Sequence, residues 1–274
     1  MLFRSLRSLM EHHATEIVGG KCAERFPWLL KWLDCHDWLS VQVHPDAEKV
    51  VTLWPGEGPK NEAWFIVETR PGAKVWSGLL PGVTARQLRE TAAAGTIAEC
   101  LHSFEPKPGD CLYLSAGTVH AVGGGVLMAE IQQTSDATFR LFDWNRKDAS
   151  GQGRQLHLEE SIACIDWSRG PVNPVRPANF GADSNPGSID RMIDCPFFHL
   201  SHVAGSTPVD LPVPKVLGAI FALSGRGTLR GASRGEPLKA GDTAILPARG
   251  GPWTWVPEGP SSLLLATATG QGDS

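Results

Sequence analysis

Short runs of apolar and β-branched residues, separated by glycine, proline and aspartate, recur along most of the chain. Runs of this length between such breakers are typical of β-strands joined by turns. The segments of this kind are WFIVET, AKVWSGL, DCLYLSA, GVLMAEIQQ, FFHLSHV, GAIFAL, GTLRG, DTAILPA and SSLLLATA. The pattern therefore predicts a mainly β protein with the architecture of a sandwich or barrel.

Two segments predict helices instead. Residues 84–99 begin with Thr84, which suits a helix N-cap, and continue with alanine-rich helix formers. Residues 2–17 carry apolar side chains at loosely helical spacing, at Leu2, Leu6, Leu9, Met10 and Ile17. We therefore expect a few helices on an otherwise β framework.

An internal similarity predicts two related units. KPGDCLYLSAGTVH at 107–120 is similar to KAGDTAILPARGGP at 239–252, an offset of 132 residues. Chance is the alternative explanation, because Gly-Asp turns that lead into apolar strands are common in β proteins. His120 of the first segment is replaced by Pro252 in the second. If the units are duplicated barrels, only the first keeps a polar site.

The chain is accordingly divided into three parts. Residues 1–168 form the domain with the polar site and the helical segments. Residues 169–188, which contain many glycines and prolines and little periodicity, form a linker or exposed loop. Residues 189–274 form a second, degenerate domain.

Composition and charge argue against several classes of protein. The chain has 274 residues and a net charge of -4, so it lacks the broad basic field of a nucleic-acid-binding protein. It has no run of 18 apolar residues, and Arg4 and Arg7 interrupt what would be a secretory signal, so we expect neither a membrane span nor export. The six cysteines form no C-x-x-C pair, which suits a reducing cytoplasm.

Candidate metal ligands lie at strand ends in the first half of the chain. In SVQVHPD (40–46), Gln42 and His44 are two residues apart and leave the same face of a strand. Glu62 opens an apolar strand, and His120 follows an Ala-Gly-Thr turn. Together these side chains suit Zn(II), Fe(II), Mn(II) or Co(II). Each also has an ordinary explanation, as a surface histidine, a solvated strand end or a loop residue.

A second polar group follows in sequence. Glu130, Gln132 and Thr134 share strand parity within an apolar segment, which predicts a ligand cavity inside a barrel. Arg140 and Arg146 lie further along the same segment. The alternative is a polar outer face with surface arginines.

Four motifs resemble a known family. LSVQVHPD (39–46), KNEAW (60–64), AGTVHAVGGG (116–125) and AEIQQTSDATFRLFDWNR (129–146) are similar to the bacterial short form of type I mannose-6-phosphate isomerase, a zinc-dependent enzyme of the cupin superfamily. The resemblance runs from about residue 25 to about residue 265. It implies a mainly β fold of two cupin (jelly-roll) barrels, the second degenerate, with a few helices.

The resemblance also implies roles for individual residues. The metal ligands would be Gln42, His44, Glu62 and His120, holding one zinc ion per chain. Arg140 and Glu130 would act in catalysis, and Ser40, Lys60 and Arg146 would bind the substrate. The implied reaction interconverts mannose 6-phosphate and fructose 6-phosphate through an enediol, in the cytoplasm, with a small sugar phosphate as partner. The oligomeric state is not indicated.

The chain departs from the family at its start. Relatives begin earlier, with a W-G-G element and a G-E-S-W stretch, so we expect the N-terminal part of the first barrel to be missing. This favours, as one alternative, a shortened non-catalytic sugar-binding cupin. Another alternative is a cupin oxygenase with Fe(II) on two histidines and one carboxylate, against which Gln42 and the pair Arg140 and Arg146 argue.

Overall fold

The computed structural model describes residues 5–19, 25–178, 180–181, 186–232 and 234–269. The chain divides into two compact units. We call residues 28–175 the central unit, and residues 5–27 together with 176–269 the terminal unit. The predicted boundaries at 168 and 188 remain predictions.

Both units are mainly β. The elements in chain order are α1 (Leu6–Val18), β1 (Trp28–Cys35), β2 (Val41–Val43), α2 (Lys49–Leu53), β3 (Glu62–Thr69), β4 (Val75–Leu79), α3 (Ala85–Ala94), a 3-10 helix (Ile97–Cys100), β5 (Leu101–Phe104), β6 (Cys111–Leu114), β7 (His120–Val122), β8 (Val126–Gln133), β9 (Phe139–Phe142), α4 (Leu158–Cys164), β10 (Ser188–Asp194), β11 (His199–Gly205), β12 (Val209–Leu211), β13 (Gly218–Ser224), β14 (Arg226–Arg230), β15 (Gly235–Lys239), β16 (Thr243–Leu246), β17 (Trp253–Pro257) and β18 (Ser261–Thr267).

The central unit is a sandwich of two antiparallel sheets. Their strand orders are β1-β8-β3-β6 and β5-β4-β7-β2-β9. Ile66 and Met128 of the first sheet pack with Val75 and Val122 of the second in one buried cluster. This cluster is the core between the sheets, because apolar side chains from both inner faces meet there.

The outer face of the second sheet is covered by helices. Val41 and Val43 of β2 are fully buried in a cluster with Leu88 of α3 and Cys164 of α4. Because side chains alternate along a strand, Gln42 points to the opposite, inner face. The alternation predicted for this segment is thus present, and it directs the amide between the sheets.

The terminal unit is also a sandwich. Its strand orders are β10-β11-β18-β13-β16 and β12-β17-β14-β15. Ile220 and Leu263 of the first sheet pack with Leu229 and Trp255 of the second. In the described residues of either unit, the two sheets do not join into a closed barrel.

The similar segments fold into the same turn. The amide of Lys107 donates to Asp110 Oδ2 at 2.7 Å, and the amide of Lys239 donates to Asp242 Oδ2 at 2.8 Å. The intervening glycines have φ of 90° at Gly109 and 91° at Gly241, a backbone region that favours glycine. The strands that follow, β6 and β16, begin 132 residues apart. The sequence offset therefore corresponds to equivalent elements.

The helix predictions are confirmed for the described residues. Leu2 lies outside them, but α1 covers most of the first predicted helix. In α3, Thr84 and Gln87 form a capping box, in which each side chain bonds to the other's backbone amide. Among the residues that the structure describes, no helix is long and apolar enough to cross a membrane.

Some elements were not predicted. The run WLLKWLDC forms β1, although its apolar residues show no regular alternation. Its side chains are mostly half-buried on both faces, which removes the period of two that marks a strand. In the predicted linker, described residues form no helix or strand before Ser188, apart from an isolated bridge between Cys111 and Val175.

The cysteines form no disulfide in the described chain. Cys22 lies outside the described residues. The others are free and buried, at Cys35, Cys100, Cys111, Cys164 and Cys195.

Candidate metal centre

Three buried side chains converge between the sheets of the central unit. One ligand atom from each of His44, Glu62 and His120 lies within 4.8 Å of the others. All three residues are at most 1% exposed. Two imidazoles and one carboxylate are a donor set for a divalent transition-metal ion.

Both sheets contribute to this cluster. On the second sheet, Gln42 of β2 pairs directly with His120 of β7, and His44 follows β2. On the first sheet, Glu62 is the first residue of β3. Further along β3, the same face carries Trp64 and then Ile66, which belong to the apolar core. The inner face of the sandwich is thus apolar in its middle and polar at one end.

Each histidine is oriented by a backbone carbonyl. Nδ1 of His44 donates to the carbonyl oxygen of Ala137 at 2.9 Å, and Nδ1 of His120 donates to that of Thr118 at 2.9 Å. A neutral imidazole that donates from Nδ1 has a lone pair at Nε2. Hydrogen bonds of this kind fix the tautomer and orientation of metal-binding histidines.

The two Nε2 atoms face Glu62. Nε2 of His120 lies 3.1 Å from Oε1 of Glu62, and Nε2 of His44 lies 3.4 Å from Oε2. Neither Glu62 oxygen, nor Nε2 of His44, has a hydrogen-bond partner among the described residues. Lone pairs therefore face one another in a buried space, an arrangement that a cation stabilises. These residues fit a bound metal ion.

Protonation of His44 or Glu62 does not relieve this arrangement at neutral pH. Burial lowers the pKa of His44 to about 4, although the neighbouring Glu62 opposes the shift. Burial alone raises the pKa of Glu62, but His44, Lys60 and His120 outweigh it and hold the pKa well below its ordinary value. Because His44 is neutral near pH 7, we attribute the permanent part of this effect to the Lys60 ammonium, 3.4 Å from Oε2.

Gln42 is the next polar group. Its Nε2 lies 3.2 Å from Nε2 of His120. An amide turned about its last bond presents its carbonyl oxygen at the same position. Gln42 thus lies next to His120, and its predicted role as a fourth ligand remains a proposal.

The loop before His120 is held tightly. Gly117 has φ of 85°, and its amide donates to the carbonyl of His44 at 2.7 Å. A Cβ there would lie 2.7 Å from Cβ of Asp166, so only glycine fits. Asn61 Oδ1 accepts from the amide of Ala116 at 2.9 Å. These bonds tie the turn between β6 and β7 to His44 on one side and to Asn61, the residue before Glu62, on the other.

A second polar group adjoins the cluster. Glu130 Oε1 accepts from Lys31 Nζ at 2.7 Å, and its Oε2 accepts from Trp64 Nε1 at 2.8 Å. Lys31 also donates to Oε1 of Gln132. Burial and the charge of Glu62 raise the pKa of Glu130, and Lys31 opposes this shift. The predicted inward direction of Glu130 and Gln132 agrees with their burial at 4% and 0%.

The remaining predicted site residues lie along β2 and β9. Arg140 pairs with Gln42 in register, and its Nε is buried without a hydrogen-bond partner in the described chain. Ser40 is buried two residues before Gln42. Arg146 lies after β9 and bonds to Asp143. The predicted roles of all these residues remain proposals.

Sequence reasoning missed several residues around the site. Lys31 was missed because β1 was not recognised as a strand, although a lone lysine in an apolar run was a signal. Asn61 lies inside the motif KNEAW but was not singled out. Asp143 and Arg154 carry no pattern that distinguishes them, since their contact depends on how the loop after β9 folds.

A mainly β sandwich that buries two imidazoles beside a carboxylate is the arrangement of a metal-binding protein with a cupin-like fold. Residues 5–63 match the family model of the phosphomannose isomerase type I catalytic domain.

Curated relatives extend the similarity over most of the chain. Mannose-6-phosphate isomerase ManA of Bacillus subtilis (strain 168) is 36% identical over 245 residues, which cover 89% of this chain and 76% of the relative. The mannose-6-phosphate isomerase of Streptococcus mutans is 34% identical over 234 residues, 85% of this chain and 72% of the relative.

A solved structure has the same fold. The mannose 6-phosphate isomerase of Bacillus subtilis superposes with a TM-score of 0.80 at 28% identity, covering 95% of this chain and 81% of that one. Because the family model matches and these relatives are similar over most of their length, the chain belongs to the type I mannose-6-phosphate isomerase family.

Proposed function

We propose that this protein is a zinc-dependent aldose-ketose isomerase that interconverts mannose 6-phosphate and fructose 6-phosphate. The observation that carries the proposal is the buried cluster of His44, Glu62 and His120, in which both Nε2 atoms are turned toward the carboxylate. Membership in the family supplies the reaction class. A cytoplasmic location, consistent with free buried cysteines, belongs to the same proposal.

Four residues would hold one zinc ion. His44, His120 and Glu62 offer two nitrogen atoms and one oxygen atom, and Gln42 offers an amide oxygen as the fourth. Zinc, when bound, acts as a Lewis acid that stabilises the negative charge developing on O1 and O2 of the sugar. The carbonyl oxygens of Ala137 and Thr118 keep the two imidazoles in the required tautomer.

The reaction moves a proton between adjacent carbons. In the forward direction the proton on C2 is removed, an enediol forms, and a proton is returned to C1 while one moves between the oxygens. Thus C2 is oxidised to the ketone, and the aldehyde carbon C1 is reduced. No other oxidant or reductant is required.

Glu130 is the proposed general base. Its pKa is raised by burial and by Glu62, which moves the carboxylate toward the range in which a base can both accept and return a proton. The bonds from Lys31 and Trp64 occupy one site on each oxygen and hold the group in one orientation. Arg140, beside Gln42 on the neighbouring strand, is the proposed electrostatic partner of the developing oxyanion.

Ser40, Lys60 and Arg146 are the proposed substrate-binding residues. Ser40 and Lys60 are buried, and Arg146 is half-buried. Cationic donors and hydroxyl groups of this kind bind phosphate and sugar oxygens. Binding energy from the phosphate end would then orient the sugar for the proton transfer.

One assay tests the whole proposal. Purified, zinc-loaded protein is incubated with mannose 6-phosphate, with and without a chelator, and fructose 6-phosphate is measured. We expect turnover that the chelator abolishes and added zinc restores. A folded, zinc-loaded sample without turnover would contradict the isomerase assignment and support a non-catalytic sugar-binding protein, whereas oxygen consumption with bound iron would support an oxygenase.

A further inference from the structure

A buried aspartate is shared by two arginines next to the proposed active site. Asp143 is 5% exposed. Nε of Arg154 donates to its Oδ2 at 2.9 Å, and Nη2 of both Arg146 and Arg154 donates to its Oδ1. Because two guanidinium groups share one carboxylate, one positive charge is left uncompensated.

These arginines line a cavity. Its volume is about 200 Å³, and Asn145 and Lys147 also line it. This is several times the ~30 Å³ that a water molecule occupies in the liquid. The lining thus carries three cationic side chains and one carboxylate, a balance of charge that suits a small anion.

The backbone beside the cavity is held in an unusual conformation. Trp144 and Asn145 both have φ of 56°, a left-handed conformation that non-glycine residues adopt rarely. Trp144 is fixed there, because its Nε1 donates to the carbonyl of Leu39 at 2.7 Å and its ring packs against Trp38 at 4.6 Å. The turn brings the amide of Arg146 back to the carbonyl of Asp143, at 3.0 Å. Such strain persists where surrounding contacts impose it and often marks functional sites.

The position of the cavity relative to the metal cluster follows from the strand register. Gln42 pairs with Arg140, and Val41 pairs with Phe142. Asp143 follows Phe142, so the register continued by one residue puts it opposite Ser40, two residues before Gln42. Two residues of a strand span about 7 Å.

This spacing suits a hexose 6-phosphate. Six bonds separate C2 from the phosphorus atom, and an extended chain advances about 3.5 Å for every three bonds. A sugar with C2 near the metal ligands would thus reach the arginines with its phosphate. Lys60 lies at the other end of β2, because its amide donates to the carbonyl of Pro45 at 3.1 Å and its Nζ is close to Glu62.

We propose that Arg154, together with Arg146, binds the phosphate group of the substrate, and that Asp143 positions both guanidinium groups for this contact. Arg154 is then a residue that determines specificity for phosphorylated sugars. The inference rests on the proposed isomerase function.

The test compares two matched arginines. Arg169 resembles Arg154: both are about half exposed, and each donates from Nε to a neighbouring aspartate, Arg169 to Asp166 at 2.8 Å. We expect Arg154→Gln to raise KM for mannose 6-phosphate about 10- to 100-fold, because a hydrogen bond to the charged phosphate is lost. The change in kcat should be smaller. Zinc content should stay at the wild-type level. The KM of Arg154→Lys should lie between those of the wild type and Arg154→Gln. The KM of Arg169→Gln should match that of the wild type.

Specificity gives an independent readout. The ratio of kcat/KM for mannose 6-phosphate over that for unphosphorylated mannose should fall in Arg154→Gln. Inorganic phosphate, used as a competitive inhibitor, should lose affinity in the same variant. An unchanged KM and an unchanged phosphate inhibition constant in folded Arg154→Gln would overturn the proposal, as would equal effects in Arg169→Gln.

A binding measurement separates this proposal from the isomerase assignment. If the wild type does not turn over mannose 6-phosphate, calorimetric titration with inorganic phosphate still tests the cavity. Binding to the wild type that is lost in Arg154→Gln would support the anion site and leave only the isomerase assignment contradicted. Equal binding to both, or no binding to the wild type at millimolar phosphate, would refute the anion site itself.

Discussion

The central and terminal units share a strand arrangement but differ in chemistry. The order β6-β3-β8-β1 of the central unit recurs as β16-β13-β18-β11, and β5-β4-β7-β2 recurs as β15-β14-β17-β12. The turns at Asp110 and Asp242 make the same hydrogen bonds. Eight strands thus share one arrangement in both units, whereas β9 and helices α2 to α4 belong to the central unit and β10 and α1 to the terminal unit.

Two of the proposed metal ligands of the central unit, Glu62 and His120, have no counterparts at the equivalent described positions of the terminal unit. Glu62 pairs with Leu114 across β3 and β6, and the equivalent pair across β13 and β16 is Gly218 with Leu246. His120 corresponds in sequence to Pro252. A Cβ at Gly218 would lie 3.0 Å from Cγ1 of Val213 and 3.2 Å from Cβ of Leu246, so any side chain there would require these neighbours to shift.

The corresponding end of the terminal unit carries prolines. Pro212, Pro214 and Pro252 line a cavity of about 1060 Å³ there, together with the cationic side chains Lys215 and Arg249. Proline offers neither a ligand atom nor a backbone donor. A sandwich of this topology therefore does not create a metal site by itself, and the site depends on which residues occupy the strand ends.

Among substitutions that test this difference between the two units, removal of the Glu62 carboxylate should have the largest effect. We expect Glu62→Gln to lower zinc affinity by more than about 100-fold, because a neutral amide replaces the only anionic ligand, and to lower isomerase activity with it. Zinc per chain, measured by atomic emission, checks the first effect. Trp253→Phe in the terminal unit is the control and should keep full zinc content. Stoichiometric zinc in Glu62→Gln would contradict the ligand assignment.

The terminal unit should respond to acid through His202. This buried histidine lies 3.1 Å from Ser262 Oγ, and burial lowers its pKa from 6.5 to about 4, although Asp190 opposes the shift. The unfolded chain therefore binds this proton first as the pH falls below 6.5. Stability that is fully present above pH 6.5 should be lost progressively down to pH 4, by up to about 3 kcal/mol.

Urea unfolding between pH 4 and pH 7 measures this effect. The difference between the wild type and His202→Gln should change over this pH range by that amount, because the variant has no titrating side chain at this position. A difference that is independent of pH would show that His202 does not contribute.

Removal of a residue that holds the loop of a proposed metal ligand should have a smaller but measurable effect. Asn61→Ala removes the acceptor for the amide of Ala116, which leads to His120. We expect zinc affinity to fall about 10-fold and the free energy of unfolding to fall by about 1–3 kcal/mol. Asn173→Ala is the control, since Asn173 accepts from His102 in an exposed hydrogen bond. A loss of stability with unchanged zinc affinity would restrict Asn61 to a structural role.

The smallest effect is expected at Gly218. Gly218→Ala adds a Cβ beside Val213 and Leu246 and should destabilise the protein by about 1 kcal/mol, without changing zinc content. Gly58→Ala, where a Cβ would meet no atom within 4 Å, is the control. Thermal unfolding measures both. Equal stability of the two variants would show that the packing around Gly218 can accommodate a side chain.

Local patterns predicted much of the fold. The cap at Thr84 marked the start of α3, and the alternation around Gln42 correctly indicated an outer apolar face and an inner polar one. Prediction failed for β1, whose half-buried faces remove the alternation, and with it the contact of Lys31 to Glu130 was missed. Local periodicity reports only which face of an element is buried, not which elements meet.

The sequence by itself determined the class of fold, the duplicated turn and the residue types able to bind a metal, because these depend on neighbouring residues or on recognisable motifs. Only the tertiary structure brought Glu62 of one sheet against His44 and His120 of the other. It also placed Arg154 on Asp143, through a loop with no periodic pattern. Contacts between residues far apart in sequence are set by how the sheets pack and how loops close, and that information is distributed over the whole chain.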